Sequence, residues 1–155
     1  MTINEIDEDN FDRVASETAA RARAIDFINE AARDEMVYLL VREGMCIHTD
    51  SVDYVKDDNE PMDVIPVWTK SYCEGAKTWA EEHATLEEMP IGHFIEEFLP
   101  EIEENFCTIG MNWDHDGIGM ELPPYHIVNL LVKKATGSEI TDEDLVDEME
   151  EDEIQ

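Results

Sequence analysis

The residues best spaced for chemistry lie in N-W-D-H-D-G, where Asn112, Asp114 and Asp116 place side-chain oxygens at alternate positions before Gly117. That is the opening half of a calcium loop, whose ligands alternate ahead of a glycine turn. The closing half is missing. Its twelfth position is Pro123, where such a loop needs a bidentate glutamate, and the flanks read as strands rather than helices. Asp116-Gly117 is also a hairpin-turn dipeptide in its own right. Asn112, Asp114 and Asp116, with His115 among them, therefore define a weak cation candidate, and a cation-dependent activity centred on Asn112 to Gly117 is the enzymatic alternative.

Other reactive side chains are scattered. Cys46, Cys73 and Cys107 are odd in number and widely spaced, a pattern of reduced thiols rather than of a disulfide framework. Cys73 or Cys107 pairs with His83, His93, His115 or His126 as nucleophile and base only if the fold joins them, and no local signature marks a reactive thiol. All three read as buried packing residues, and His48 as a strand-end imidazole. Trp68 and Trp79 offer aromatic surface for a small-ligand-binding module, although large aromatics mostly supply packing area. Glu96, Glu97, Glu101, Glu103 and Glu104 form an outward acidic stripe. Paired carboxylates do acid and base work only where a cleft pushes their pKa values apart. No catalytic residue and no cofactor is assigned.

The elements that must position these groups follow from periodicity. Asp9 or Asn10 caps a long amphipathic helix whose apolar stripe is Phe11, Val14, Thr18, Ala22, Ile25, Ile28 and Ala32. Val37 to Val41 and Met45 to Thr49 flank Gly44 as a hairpin. Residues 50–63 are polar and turn-rich, with Val52, Tyr54 and Val55 anchoring a short strand or a pinned loop. Val64 to Thr69, V-I-P-V-W-T, is apolar on both faces. Pro66 lacks a backbone donor, which argues for a bulged or edge strand. Thr69 or Ser71 caps the next helix, with Tyr72, Ala76, Trp79 and Ala80 on its stripe. Ala84 to Pro90 reads as a link. Ile91, Phe94, Ile95, Phe98, Leu99 and Ile102 mark a helix that kinks or restarts at Pro100. Strands over Cys107–Met111 and Gly119–Leu122 precede a helix started by Pro123 and Pro124 and stopped at Gly137. Thr141 and Asp144 resemble a capping pair.

This order predicts one α+β domain over 11–137, between an acidic segment at 1–10 and an acidic tail at 138–155 that is partly helical or disordered. The sheet is expected to hold about five strands, mostly antiparallel, with helices chiefly on one face. The two-helix connection between the third and fourth strands permits a parallel pair, and so a mixed sheet.

Charge restricts the partners. The chain carries 40 acidic and 10 basic residues, a formal charge of −30. The excess persists in the middle of the chain, where residues 13–138 keep 25 acids against 10 bases. Such a field opposes nucleic acid and anionic lipid, since phosphate binding needs a cationic surface, and favours a basic protein partner. The N-terminus lacks an export signal and no apolar run reaches the roughly 18 residues of a membrane span. A cytoplasmic location is expected, and oligomeric state is left open.

The chain's V-Y-L-L-V, V-I-P-V-W-T with Tyr72 and Ala76, I-G-H-F-I-E-E-F-L-P, T-I-G-M-N-W-D and G-I-G-M-E-L-P-P segments together resemble the bacterial family called domain of unknown function 2750, over roughly residues 24–131. The layout is more loosely similar to the SseB-type domain, in which an x-P-V-W/F strand precedes a helix. Neither resemblance implies catalytic residues. Small α+β domains of this kind occur as immunity or secretion-linked proteins, an analogy of architecture alone. The expected function is a non-enzymatic, acidic protein-interaction domain, immunity-like or binding a basic partner.

Overall fold

Alanines set the approach of the first helix to the rest of the chain. α1 (Thr2–Asp34) buries Ala20, Ala24, Phe27, Ile28 and Ala31, spaced i, i+4, i+7, i+8 and i+11 on one helical face. The expected stripe is rotated: of its members from Thr18 onward only Ile28 is fully buried, while Thr18 and Ala22 are exposed. Three small side chains let the helix axis come close, and Phe27 fills the space with an edge-to-face contact to Phe94 at 6.4 Å. The helix ends where Glu35 turns to a left-handed φ of 57° and its N–H bonds the Ala31 carbonyl. It also begins earlier than the expected cap, at Thr2. The computed structural model describes the backbone of residues 2–80, 84–114 and 117–146, and their side chains except at 2–15, 52–53 and 78–80.

The sheet has seven strands among the described residues: β1 (Met36–Arg42), β2 (Met45–Cys46), β3 (Thr49–Val55), β4 (Pro61–Trp68), β5 (Thr85–Pro90), β6 (Cys107–Met111) and β7 (Met120–Leu122). It is mixed, as the connection between the third and fourth expected strands permits. β4 and β6 run parallel from Asp63↔Cys107 to Val67↔Met111, while every other pair is antiparallel. The α+β class stands, with more strands than expected.

Two departures from the sequence reading have plain causes. Pro66 does not place its strand at an edge, because β4 is flanked on both sides. On one side it pairs with β6 throughout. On the other, β3 accompanies it up to Val64 and β1 takes over from Val67. Pro66 stands at that handover, where no ladder partner needs its missing N–H. The supposed link at 84–90 is β5, which pairs with β1 over six registered residues. Its two apolar residues, Leu86 and Met89, are three apart, a spacing that fits a helical turn or a connection as well as a strand. Its exposed glutamates are what an edge strand carries.

Around this sheet the helices divide unequally. α1, α3 (Ile91–His93), the π-helical stretch Phe94–Phe98, α4 (Leu99–Glu104) and α5 (Pro124–Ala135) cover one face with Val37, Ile65, Val67, Ile109, Met111 and Leu122. α2 (Cys73–Ala80) lies on the other, where Ala76 meets Leu40, Val64, Trp68 and Trp113. Pro100 falls just after the π-helical stretch within an unbroken helical run over 91–104, so the winding changes ahead of the proline instead of the helix ending there. After α5, Gly137 turns the chain at φ 94°, and Thr141 and Asp144 form a true capping box ahead of a short 3-10 turn. Ile140 and Leu145 join the main core, so the folded body continues past residue 137.

Candidate functional site

The carboxyl ends of the parallel strands β4 and β6 bring the motif residues together. In open sheets this is where ligands commonly sit, and Trp68, Thr69, Asn112 and Trp113 all arrive there. Asn112 is fully buried with a left-handed φ of 49°. Its carboxamide oxygen accepts the Thr69 N–H at 2.8 Å, and its nitrogen donates to Thr69 Oγ1 at 3.0 Å and to the Arg23 carbonyl at 3.3 Å. Arg23 returns the contact from α1, with Nε donating to the Asn112 carbonyl and Nη2 to the Ile118 carbonyl, both at 3.0 Å. Asn112 thus staples α1, β4 and β6, and its side chain is spent on the protein. Thr69, expected as a helix cap, makes no cap bond because its hydroxyl serves Asn112.

The two tryptophans of this edge interlock. Trp68 is wholly buried, and its indole N–H donates to the Trp113 carbonyl at 2.8 Å. Trp113 lies flat over two glycines: a Cβ added to Gly110 or Gly119 would fall 2.4 Å from its ring. Its own N–H donates to the Met120 carbonyl at 3.0 Å. The glycines of T-I-G-M-N-W-D and G-I-G-M-E-L-P-P are therefore the floor of a tryptophan slot. Beside it, Tyr72 donates to Asp26 Oδ2 at 2.5 Å. Burial first, and this bond second, push its phenol up to about 12.

Asp114 closes the following turn. Its Oδ1 accepts the Ile118 N–H at 3.0 Å, its N–H bonds the Ile118 carbonyl, and Gly117 at φ 75° bonds back to the Asp114 carbonyl. Asp116 and His115 lie outside the described residues, as does His83; the side chain of Trp79 does too. No three His, Cys, Asp or Glu side chains converge as a metal site among the described residues. Nor do the thiols present a nucleophile. Burial, the largest cause in each case, raises the pKa of Cys46, Cys73 and Cys107, which keeps them protonated. Cys46 and Cys73 are half-buried rather than fully packed. His93 contacts Glu97 at 2.6 Å on the surface, and buried His126 bonds the Asp144 carbonyl through Nε2 at 2.7 Å.

The family described as "Protein of unknown function (DUF2750)" matches residues 24–131. The chain belongs to this family. Comparison with curated proteins and with solved structures finds no match. The DUF2750 segment opens within α1 and closes within α5, so it contains the whole sheet and leaves both acidic ends outside. The tryptophan slot and the Asn112 staple both lie within it.

A different region of the DUF2750 fold is open. Between β1, β5 and α4 lies a groove of about 530 Å³ whose apolar floor includes Leu39, Ile65, Met89, Phe98 and Ile102. Glu87, Glu88 and Glu101 line it, and no Lys, Arg or His does. Met45 and Phe106, both strongly exposed, each stand between two groove-lining residues in the chain. Sequence reasoning named Glu101 only as part of a solvated stripe and passed over Glu87, Glu88 and Met89 as a link. The edge-strand register that turns Glu87 and Met89 toward α4, with Glu88 on the opposite face beside Tyr38, is a tertiary fact. No helix of the described residues is long and apolar enough to cross a membrane.

Proposed function

We propose that this DUF2750 chain is a non-enzymatic binding domain for a basic protein, and that the groove between β5 and α4 receives an amphipathic, cationic segment of that partner. One observation carries the reading: an apolar floor edged by the Glu87 and Glu101 carboxylates with no Lys, Arg or His among its lining residues. Apolar contact supplies affinity in such a groove, and the carboxylates supply orientation and encounter rate. The formal charge of −30 extends the same preference to long range, and disfavours nucleic acid and anionic membranes. The protonated thiols and the spent Asn112 side chain support binding over catalysis. The three free thiols also suit a reducing cytosol.

A labelled helical peptide of alternating Leu and Lys faces tests this, against a Leu and Glu version of the same length. The cationic peptide binds with an affinity that falls with ionic strength. Glu87→Lys and Glu101→Lys together abolish binding, whereas Glu139→Lys and Glu143→Lys together lower it only modestly. Equal losses from the two pairs would reduce the effect to net charge and sink the groove as its site.

A further inference from the structure

β5 pairs with β1 over six residues in unbroken register, and no strand pairs with its other side among the described residues. Which of its main-chain groups face that open side follows from one hydrogen bond. The Ile91 N–H donates to the Glu35 carbonyl at 2.9 Å, one step beyond the Met36↔Pro90 register. Hydrogen-bonded and non-bonded pairs alternate along an antiparallel ladder. Val37↔Met89, Leu39↔Glu87 and Val41↔Thr85 are therefore the bonded pairs, and Tyr38↔Glu88 and Leu40↔Leu86 the non-bonded ones. β1 agrees. The Leu40 carbonyl accepts the Ile47 N–H at 2.9 Å and Tyr38 pairs with Trp68, both on the side of β1 away from β5. The N–H and C=O groups of Leu86 and Glu88 thus point outward from the sheet edge, where they meet no protein group among the described residues. Pro90 falls in the same outward phase, where its missing N–H leaves the β1 ladder whole and ends the row of donors.

Side chains along this edge select the strand that fits it. Glu87 and Met89 lie on the groove face, and Leu86 and Glu88 on the opposite face with Tyr38. Glu87 and Glu88 are exposed, and neither forms an ion pair among the described residues. Directly opposed side chains in a sheet attract when their charges differ and repel when they match. A second copy pairing through β5 would set these carboxylates against each other, which closes the edge to self-association. A foreign strand with two successive basic residues is matched on both faces at once, and apolar residues flanking that pair fall opposite Leu86 and Met89.

We infer that β5 takes up an extended segment of a basic protein as an added antiparallel strand, with a core that reads apolar, basic, basic, apolar. Main-chain bonds to Leu86 and Glu88 supply affinity, and the Glu87 and Glu88 carboxylates supply the choice of sequence. This rests on the basic-partner reading but not on the groove: the free donors lie in the plane of the sheet, whereas the groove opens on its face.

The test uses the full chain and an end-blocked peptide, Ser-Thr-Val-Lys-Lys-Val-Thr-Ser, followed through the Leu86 and Glu88 amide resonances. Binding shifts both amides saturably and slows their hydrogen exchange, and a version with Glu-Glu in place of Lys-Lys does neither. N-methylation of the alternate peptide amides that face β5 abolishes binding, whereas N-methylation of the other set leaves it within about twofold. Glu88→Pro removes one outward donor without touching the β1 ladder and weakens the peptide roughly tenfold, against roughly threefold for Glu88→Gln, which removes only the charge. The methylated peptides need no variant, so they decide the matter if Glu88→Pro does not fold. Glu88→Pro leaves the helical peptide of the groove unaffected and Glu101→Gln weakens only that helical peptide, so the two surfaces fail separately. Three results would each overturn the assignment: equal loss from both methylated sets, equal affinity in Glu88→Pro and Glu88→Gln, or protection of the Leu86 and Glu88 amides that grows with protein concentration in the absence of peptide.

Discussion

The slot around Trp113 and the groove beside β5 are both concave features of one sheet, built on opposite principles. In the slot every polar group named finds its partner inside the protein: Asn112 with Thr69 and Arg23, Trp68 with Trp113, Trp113 with Met120. In the groove the Glu87 and Glu101 carboxylates line apolar surface with no counter-cation among the lining residues. The residues with motif-like spacing therefore hold the fold together, and the residues open to a partner carry no motif. Chemistry-bearing residue types are a poor guide when a buried staple can consume them all.

Substitutions separate the two regions by what they change. Trp113→Ala should have the largest effect, a loss of about 3–5 kcal/mol of stability measured by urea denaturation, because it empties the slot that Gly110 and Gly119 leave open. Gly110→Ala should cost about 1–3 kcal/mol alone, by forcing a Cβ into the Trp113 ring, and far less in the Trp113→Ala background. A cost that is the same in both backgrounds would break the slot description. Asn112→Ala should cost about 2–3 kcal/mol, since it strands the buried Thr69 N–H.

A finer contrast comes from pH. Tyr72 holds its proton to about pH 12 in the folded chain, above its ordinary value of 10.0. Its contribution to stability is full below pH 10 and is lost as pH rises from 10 through 12, because the unfolded chain ionises first. Tyr38 is also raised, chiefly by burial, so the late-ionising absorbance should be assigned to Tyr72 by its loss in Tyr72→Phe, and Asp26→Asn should bring Tyr72 down only part of the way, since burial is the larger cause. The smallest stability change belongs to the groove. Glu87→Gln and Glu101→Gln together should move stability by no more than about 0.5 kcal/mol, as exposed charges do, while removing affinity for a cationic peptide. A large destabilisation from these two would make the groove structural like the slot.

The sequence reading reached the α+β class, the long first helix and the strand nature of V-I-P-V-W-T, and allowed the parallel pair, because each rests on a local pattern or on connection length; at Pro100 the helical run changes winding and does not restart. It missed β5, whose Leu86 and Met89 lie three apart and so pack on opposite faces of the sheet, giving no period-two signal. It also rotated the stripe of α1, because Ala20, Ala24 and Ala31 carry little hydrophobic signal yet make the closest contact. Of the site, Trp68 was picked out chiefly as a packing aromatic, which it is, and Asn112 and Asp114 as part of a turn with a weak cation alternative. Their hydrogen-bond partners lie as far as 89 residues away and appear in no spacing.

Composition alone determined that this chain folds a body with a strong negative field, and its segment order determined the family, since both are properties of the string. Tertiary structure decided where Pro66 is tolerated, why Gly110 and Gly119 are glycines, and which acids face an open groove rather than plain solvent. The reason is physical: a side chain's role depends on which distant groups satisfy or abandon it, and only the folded sheet brings Thr69 to Asn112 and leaves Glu87 without a cation.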